Sequence, residues 1–434
     1  MNKIKNNILI KNIFILLISG AVAKVIGMLG KIIYTREAGI EVVSLYSLIT
    51  PTFMLIITIC QFSFPIAVSK LSAENRYDNK KLLITAYSIG FIIDIVLMLF
   101  VILFFKTIAN LLHNSSLYKA IITIIYIVPL VTISSIQRGF LHGKEDMLGA
   151  SITNITEEII KITLIITTLP IALLKSNLTA VITIILYNII TESTNILIMH
   201  KSIKKYIDKK KTKLDKKIAK EIFKISLPTT LIRLISSLAF FLEPILLTNI
   251  LLKDGYTKEY IQMQYGIINS YIIPLLSIPS FFSVSIASAL LPNITKAYAN
   301  KKYNDFKHKL LRLLTLSVVL GSICISIILL FPKLILNLIY GVSFGTNYIY
   351  VMGPFFVLLY IQPTLSSALQ AMGKTNKLFY VSIISNFLKY LALIIFGILG
   401  FEMYSLNIAI NIGILTTTLL AIKIVLNQIK KLNN

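Results

Sequence analysis

Residues 21–36, AVAKVIGMLGKIIYTR, end an apolar run that begins at Ile8. They nevertheless contain Lys24, Lys31 and Arg36. The run exceeds the roughly 20 residues that a helix needs to cross the hydrocarbon core of a bilayer. A charged side chain in the middle of such a helix costs about 2.5–3.5 kcal/mol on insertion scales, so it usually faces a cavity or a partner. The stretch therefore predicts a membrane-spanning helix with a polar face.

Apolar runs of this length recur along the whole chain. Of the 434 residues, 56% are hydrophobic and 14% are charged, and the mean hydropathy is +0.82. This composition is typical of an all-α polytopic membrane protein. With roughly 20 residues per span, the sequence predicts about twelve transmembrane helices. We place them near residues 8–34, 42–69, 82–105, 117–138, 147–174, 178–199, 221–250, 262–292, 310–332, 346–371, 376–399 and 402–428.

The net charge of +25 is explained by topology. Every second connector is rich in Lys or Arg, whereas the intervening ones hold one or two cations each. By the positive-inside rule, the basic connectors and both termini are expected to lie in the cytoplasm, where the connectors also attract anionic membrane lipid. Nucleic acid is not predicted as a partner, because no segment is long and polar enough to form a basic soluble domain. The basic connectors contain Lys3, Lys5, Lys11; Lys70, Arg76, Lys80, Lys81; Arg138, Lys144; residues 201–224; residues 296–312; Lys374, Lys377; and Lys430, Lys431.

Short motifs repeat between the two halves of the chain. VSKLSAENRYD at 68–78 aligns with ITKAYANKKYN at 294–304, and FLHGKED at 140–146 aligns with LQAMGKTN at 369–376. Both members of each pair lie in predicted cytoplasmic connectors, so the halves share one orientation and form a parallel repeat.

The repeat predicts the domain organisation. We expect an N-terminal six-helix bundle at 1–200, a basic cytoplasmic linker at 201–220 and a C-terminal six-helix bundle at 221–434. An alternative for the N-terminus is a secretory signal, with its basic start, apolar core and AVA at 21–23 as a cleavage-like site. We favour a retained first span, because the first half needs a counterpart to the helix at 221–250.

The first helix places its cations on one face. Gly20, Lys24, Gly27 and Lys31 follow steps of four, three and four, which puts them on one side of a helix; we call this set the cationic stripe. Glycines allow another helix or a ligand to approach closely, and the amines attract anions. Lys24 is predicted to face a cavity. For Lys31 two roles are open, because its position near the helix end also permits it to snorkel to the headgroups.

The opening helix of the second half carries a comparable cation. Arg233 lies within SLPTTLIRLISSLAFFLEPILL at 226–247, and Glu243 follows it by ten residues. Ten residues correspond to about 15 Å of helix rise, so these two side chains are not expected to pair with each other. Each is predicted to face the space between the bundles. One cationic opening helix in each half predicts an anionic substrate such as a phosphate.

Other charges within the spans are less informative. Glu157 and Glu158 stand four and three residues before Lys161, which favours an ion pair within one helix. Three single charges could couple transport to an ion or pair with one another, and the sequence does not choose between these roles. They are Asp94, Glu192 and Lys389.

An enzymatic function is not predicted. The histidines lie at span ends or in connectors, and none belongs to a recognisable catalytic motif. The chain has no GxxxxGK[ST] loop, which excludes a built-in ATP motor of that class. Cys60 and Cys324 stand far from other ligand-type residues, so neither a metal site nor a cofactor is predicted.

Several motifs carry a family resemblance that extends over both halves. LYSLITPTFMLIITICQFSFPIAVSKLSAE at 45–74 is the most specific of them, through its Pro-Thr-Phe, Gln-Phe-x-x-Pro and Ala-x-Ser-Lys-Leu parts. The chain resembles the stage V sporulation protein B family of the multidrug/oligosaccharidyl-lipid/polysaccharide (MATE/MOP) exporter superfamily, which also contains lipid II flippases. The other matching stretches are AKVIGMLGKIIYTREAG, QRGFLHGKEDM, EEIIKI and LPTTLIRLISSLAFFLEPI.

The resemblance implies a two-lobed, V-shaped bundle that exposes a central cationic cavity to each side of the membrane in turn. Its implied cargo is an undecaprenyl-pyrophosphate-linked saccharide or a similar anionic lipid, such as a peptidoglycan precursor for the spore cortex or cell wall. Lys24, Lys31 and Arg36 match the cations of the first helix that are thought to hold the pyrophosphate in such flippases. We expect a monomer, and the sequence leaves open whether Na⁺ or H⁺ is the coupling ion.

Two departures from the resemblance are visible. Gly30-Lys31 stands where lipid II flippases carry an Arg-Asp pair, so the acid is missing. These relatives also usually have fourteen helices, whereas about twelve are predicted here. The predicted binding residues are Lys24, Lys31, Arg36 and Arg233, with Glu243, Asp94 and Glu192 as candidate cavity or coupling acids. Two other functions remain open, a cation-coupled multidrug exporter and a non-transporting scaffold for cell-wall enzymes.

Overall fold

A computed structural model describes the backbone of residues 2–207, 214–281, 283, 284, 294, 298 and 300–433, and the side chains of these residues except 2–18, 375 and 430–433. This part of the chain is helical and contains no strand, which confirms the predicted all-α class. Its α-helices are α1 (Asn2–Gln61), α2 (Phe64–Glu74), α3 (Asn79–Leu111), α4 (Tyr118–Thr123), α5 (Val128–Gly143), α6 (Met147–Leu173), α7 (Asn177–Ile203), α8 (Lys216–Lys253), α9 (Lys258–Gly266), α10 (Ile273–Ser277), α11 (Tyr303–Leu330), α12 (Pro332–Tyr340), α13 (Thr346–Ala371), α14 (Thr375–Ile398) and α15 (Tyr404–Asn433).

Helix α1 contains two membrane crossings. Its 60 residues would extend roughly 90 Å, about three times the thickness of the hydrocarbon core. Gly39 interrupts it with φ 70° and ψ 168°, a conformation that glycine adopts without steric cost. This break lies between the predicted spans 8–34 and 42–69. The chain therefore turns where the sequence analysis places the first connector.

Eight helices in the described residues are long and apolar enough to cross a membrane, or nine if a bent pair counts as one span. One of the eight runs from Ser19 to Glu74 and includes the Gly39 break, so it holds two predicted spans. Helix α6 falls outside this group because Glu157, Glu158 and Lys161 lie within it. The predicted span at 262–292 lies partly outside the described residues, so the count of twelve stays a prediction.

Four spans differ in detail from the prediction. The span at 42–69 is broken at Phe62 and Ser63, whose φ angles are 40° and 48°. The span at 117–138 is bent by 41° between Tyr126 and Val128. A π-helical turn, Ile267–Ile272, interrupts the span at 262–292, and the separate helix α12 follows α11. The spans were predicted from the lengths of apolar runs. Breaks within a run depend on local backbone geometry, which hydropathy does not predict.

The outer surface of α3 is apolar. Its exposed side chains include Phe91, Ile92, Val96, Leu99, Phe100 and Leu103, and Leu103 is 73% exposed. A contiguous apolar face of this size would be unfavourable in water, whereas in a bilayer it lies against lipid chains. The surface therefore fits a multi-pass membrane protein.

The described residues divide into two compact units, 1–241 and 242–434, with the boundary inside α8. Each unit has an apolar core at its repeat motifs. Val68 and Phe140 are buried in the core of the first unit, and Ile294 and Leu369 are buried in that of the second. Val68 and Ile294, which the motif repeat aligns, are thus both core residues of their own unit. The predicted linker at 201–220 stays a prediction, since residues 208–213 lie outside the described part.

The QRGFLHG motif packs α5 directly on the backbone of α2. A Cβ atom built on Gly139 would lie 2.8 Å from the Cα of Pro65, and one on Gly143 would lie 2.3 Å from the carbonyl oxygen of Ser69. Only glycine permits such an approach of two helix backbones. Ser72 adds a hydrogen bond from its hydroxyl to the Phe140 carbonyl, at 3.3 Å.

We expect Gly143→Ala to lower the free energy of unfolding by about 1–3 kcal/mol, because its methyl group would overlap backbone atoms that cannot rotate away. The matched control is Gly20→Ala, since a Cβ on Gly20 would have no heavy atom within 4 Å. Thermal unfolding of the purified variants in detergent measures the difference. Equal melting temperatures for the two variants would contradict the packing described above.

Candidate functional site

The cationic stripe of α1 lies against α6. A Cβ built on Gly27 would lie 3.0 Å from the carboxyl carbon of Glu158, and one on Gly30 would lie 3.0 Å from Cγ1 of Ile162. The glycines therefore bring the two helices into close contact, as the sequence analysis expects of small residues in a span. A carboxylate thus lies directly on the stripe.

The three predicted cations of α1 differ in exposure. Lys24 and Arg36 are exposed, and Arg36 precedes the break at Gly39 by three residues. Lys31 is half-buried, and its ammonium forms no ion pair or hydrogen bond with any residue in the described part of the chain. The ammonium of Lys31 is therefore available to an anion.

Acidic side chains on α6 take two different positions. Lys161 forms the predicted ion pair with Glu157, at 2.6 Å, and Asn195 donates to the second carboxylate oxygen at 3.1 Å. This pairing confirms the expected contact within one helix. Glu158 has no comparable partner among the described residues, and its carboxylate lies on Gly27 instead.

Arg233 contacts the break between α1 and α2. Its Nη2 atom donates a hydrogen bond of 2.6 Å to Oε1 of Gln61. Two further hydrogen bonds connect the same face of α8 to this break, Thr230 to Ser63 at 3.0 Å and Thr58 with Ser237 at 2.8 Å. The sequence analysis did not identify Gln61 as a partner. The signal was present in the Gln-Phe-x-x-Pro motif, whose second and third residues, Phe62 and Ser63, form the break.

Asp94 and Glu192 are separate acids within the first unit. Asp94 is 2% exposed, accepts a hydrogen bond of 2.6 Å from Thr132, and lines a mainly apolar cavity of about 620 Å³ that reaches His200. Glu192 is half-buried, and its Oε2 atom accepts no hydrogen bond from the described residues.

The second unit contains a buried ion pair. Lys389 Nζ donates to Oε2 of Glu243, which is 1% exposed, and the Tyr265 hydroxyl donates to Oε1 at 3.3 Å. Lys389 thus pairs with Glu243, an acid that the sequence analysis does not suggest as its partner. The predicted role of Glu243 as a coupling acid is not tested by this contact. Lys389 also lines a polar cavity of about 440 Å³ between α13, α14 and α15.

The described residues contain no cluster of three or more His, Cys, Asp or Glu side chains that could hold a metal ion. Three predicted binding cations lie on α1, and Arg233 lies on α8 within the same unit. Such a set can attract and orient an anion, but it provides no nucleophile and base pair for a covalent step.

Comparison with known families gives two matches. The model described as "Polysaccharide biosynthesis protein" matches residues 9–298, which is more than half of the chain. The MatE model matches residues 269–396.

Relatives of known sequence and structure agree with these matches. Stage V sporulation protein B of Bacillus subtilis (strain 168) is 29% identical over 394 residues, which cover 88% of this chain and 76% of that protein. Sporulation protein YkvU of the same organism is 24% identical over 428 residues, covering 95% and 94%. In fold, the chain is similar to an inward-facing multidrug resistance MATE family transporter of the MOP superfamily, with a TM-score of 0.70 and 16% identity over 94% of this chain and 95% of the other.

Proposed function

The chain belongs to the polysaccharide biosynthesis protein family and is a multi-pass membrane transporter of the MATE/MOP superfamily. From this premise we propose that it is a flippase for an anionic lipid-linked saccharide, such as an undecaprenyl-pyrophosphate-linked oligosaccharide or peptidoglycan precursor. It carries this cargo across the membrane by alternating access, without a covalent step.

The observation that supports this proposal best is the environment of Lys31. Its ammonium lies within a membrane span, is half-buried and has no counter-ion among the described residues. Such a charge is costly in a bilayer unless a ligand or a cavity accommodates it. A pyrophosphate offers two adjacent anionic groups, and Lys24 lies two helical turns away on the same face for the second contact.

A saccharide as the remainder of the cargo follows from the family, whose description names polysaccharide biosynthesis. A cation-coupled multidrug exporter is the second candidate, because the MatE model and the MATE structural neighbour favour it. The two functions require opposite charges at the binding site. The stripe is cationic, which supports the flippase.

The orientation in the membrane is part of the proposal. We place both termini and the basic connectors in the cytoplasm, where the connectors contact anionic lipid. The stripe then begins deep in the first span and ends near its outer side at Lys31. A phosphate moving outward would meet Lys24 before Lys31.

Binding of a fluorescent undecaprenyl-pyrophosphate-linked disaccharide to the purified protein in vesicles tests the proposal. We expect the wild type to bind this lipid and not its uncharged analogue. Lys31→Ala should weaken binding by about tenfold or more, because hydrogen bonds to charged groups contribute about 1.5–3 kcal/mol.

Lys106→Ala is the matched control, since Lys106 is an exposed lysine near the end of α3 in the same unit. It should bind like the wild type. Equal binding of the charged and uncharged lipids, or of neither, would rule out the proposed cargo.

A further inference from the structure

Glu158 lies on the cationic stripe without a partner of its own. Its two carboxylate oxygens are 3.0 and 3.3 Å from a Cβ built on Gly27. Gly27 follows Lys24 by three residues and precedes Lys31 by four, so the carboxylate lies between the two lysine positions on one helix face. It is placed where an anion bound to both lysines would be.

The neighbouring Glu157, rather than Glu158, forms the short-range ion pair of this helix. Glu157 neutralises Lys161 and accepts a hydrogen bond from Asn195. Lys161 therefore has its counter-ion without Glu158. An acid with no hydrogen bond or ion pair to the described residues is costly in a membrane span, and the attraction of Lys161 on the same helix offsets that cost only in part.

We infer that Glu158, whose carboxylate lies on the cationic stripe, takes up a proton when an anionic headgroup binds there. The inference rests on the proposed function and adds the coupling ion to it. The phosphate charge replaces the carboxylate charge beside the lysines, and a like charge at short range favours the protonated acid. One proton enters from water with each headgroup and leaves with it, so cargo and H⁺ move together.

Other charged groups surround this position, and most are engaged. Arg138 of α5 donates to Asn154 at 2.8 Å, and Glu157 is paired with Lys161. Glu192 of α7 has an unpartnered Oε2 and is the competing candidate for the proton. The charges that act on Glu158 are those of Lys161 and Glu157 on the same helix. Tyr46 from α1, Arg138 from α5 and Glu192 from α7 interact in turn with these two residues, and Lys24 and Lys31 flank Gly27 on α1.

The test measures binding of the undecaprenyl-pyrophosphate-linked disaccharide between about pH 5 and about pH 7, a range in which the lysines of the stripe stay charged. A pyrophosphate diester stays ionised over this range, so any change arises in the protein. The wild type should bind more tightly as the pH falls, by about ten- to hundredfold, since a like charge at short range favours the protonated acid. Glu158→Gln should bind at every pH as tightly as the wild type does at low pH.

Two further variants make the outcome decisive. Glu158→Asp should keep the pH dependence, and Glu192→Gln should keep it too. Full pH dependence in a folded Glu158→Gln protein, or its loss in Glu192→Gln instead, would overturn the inference. If the wild type does not bind the lipid at any pH, the proposed function itself fails. That result differs from the two outcomes above, in which the lipid binds but its pH dependence does not come from Glu158.

Discussion

Replacing Lys389 by Ala should destabilise the second unit by about 3–5 kcal/mol, the largest stability change expected here. Glu243 is 1% exposed, so loss of the lysine leaves a buried carboxylate without a counter-ion. The Tyr265 hydroxyl still donates to Oε1 of Glu243, but a neutral donor cannot balance the charge. Thermal or denaturant unfolding in detergent, monitored within residues 242–434, measures the loss.

A double variant separates the charge from the packing. Glu243→Gln combined with Lys389→Met keeps a hydrogen-bond acceptor for Tyr265 and fills a similar volume without charge. We expect it to recover most of the stability lost in Lys389→Ala. Lys423→Ala, which removes an exposed lysine from α15, is the control and should match the wild type. A double variant as unstable as Lys389→Ala would show that the charge is not the cause.

The contacts that could be predicted from the sequence are the local ones. Lys161 pairs with Glu157 at a spacing of four residues, and the helix period alone brings these side chains together. The break at Gly39 was predictable because a 60-residue apolar helix is too long for one crossing. The class of the fold follows from composition for a similar reason, since every segment must satisfy its backbone internally in lipid.

The contacts that could not be predicted join distant parts of the chain. Lys389 meets Glu243 across 146 residues, and Arg233 meets Gln61 across 172. No helical period fixes such partners, because they depend on how whole helices pack. Glu158 is the most informative case. Its spacing suggests a pair with Lys161, whereas the close approach of α6 to Gly27 places it on the cationic stripe.

The position of Glu158 on the cationic stripe is relevant to Gly30-Lys31, where this chain lacks the Arg-Asp pair of the lipid II flippases that it resembles. The resemblance implies an acid beside the cation within the first helix, and this chain has none there. Glu158 brings a carboxylate to the same helix face from α6. A missing residue in one helix can thus have a spatial counterpart in another, which sequence spacing does not reveal.

The combined variant Lys24→Ala/Arg233→Ala should abolish translocation of the pyrophosphate-linked lipid in vesicles. Both cations belong to the first unit, and removing two anion contacts, at about 1.5–3 kcal/mol each, amounts to a loss of a hundredfold or more. A non-transporting scaffold would keep its cellular function in this variant. A multidrug exporter would keep or increase its efflux of cationic drugs, because repulsion from the site falls.

The variant Gln61→Ala distinguishes two possible roles of Arg233, binding of the cargo and stabilisation of the break between α1 and α2. Arg233 donates to Gln61 at the break between α1 and α2, so its loss could act through the cargo or through the break itself. If Arg233 binds the phosphate, Gln61→Ala frees the guanidinium and translocation persists, whereas Arg233→Ala reduces it. If Arg233 only holds the break in place, both variants lose transport and melting temperature together. Translocation and unfolding measured on the same two preparations distinguish a binding residue from a positioning one.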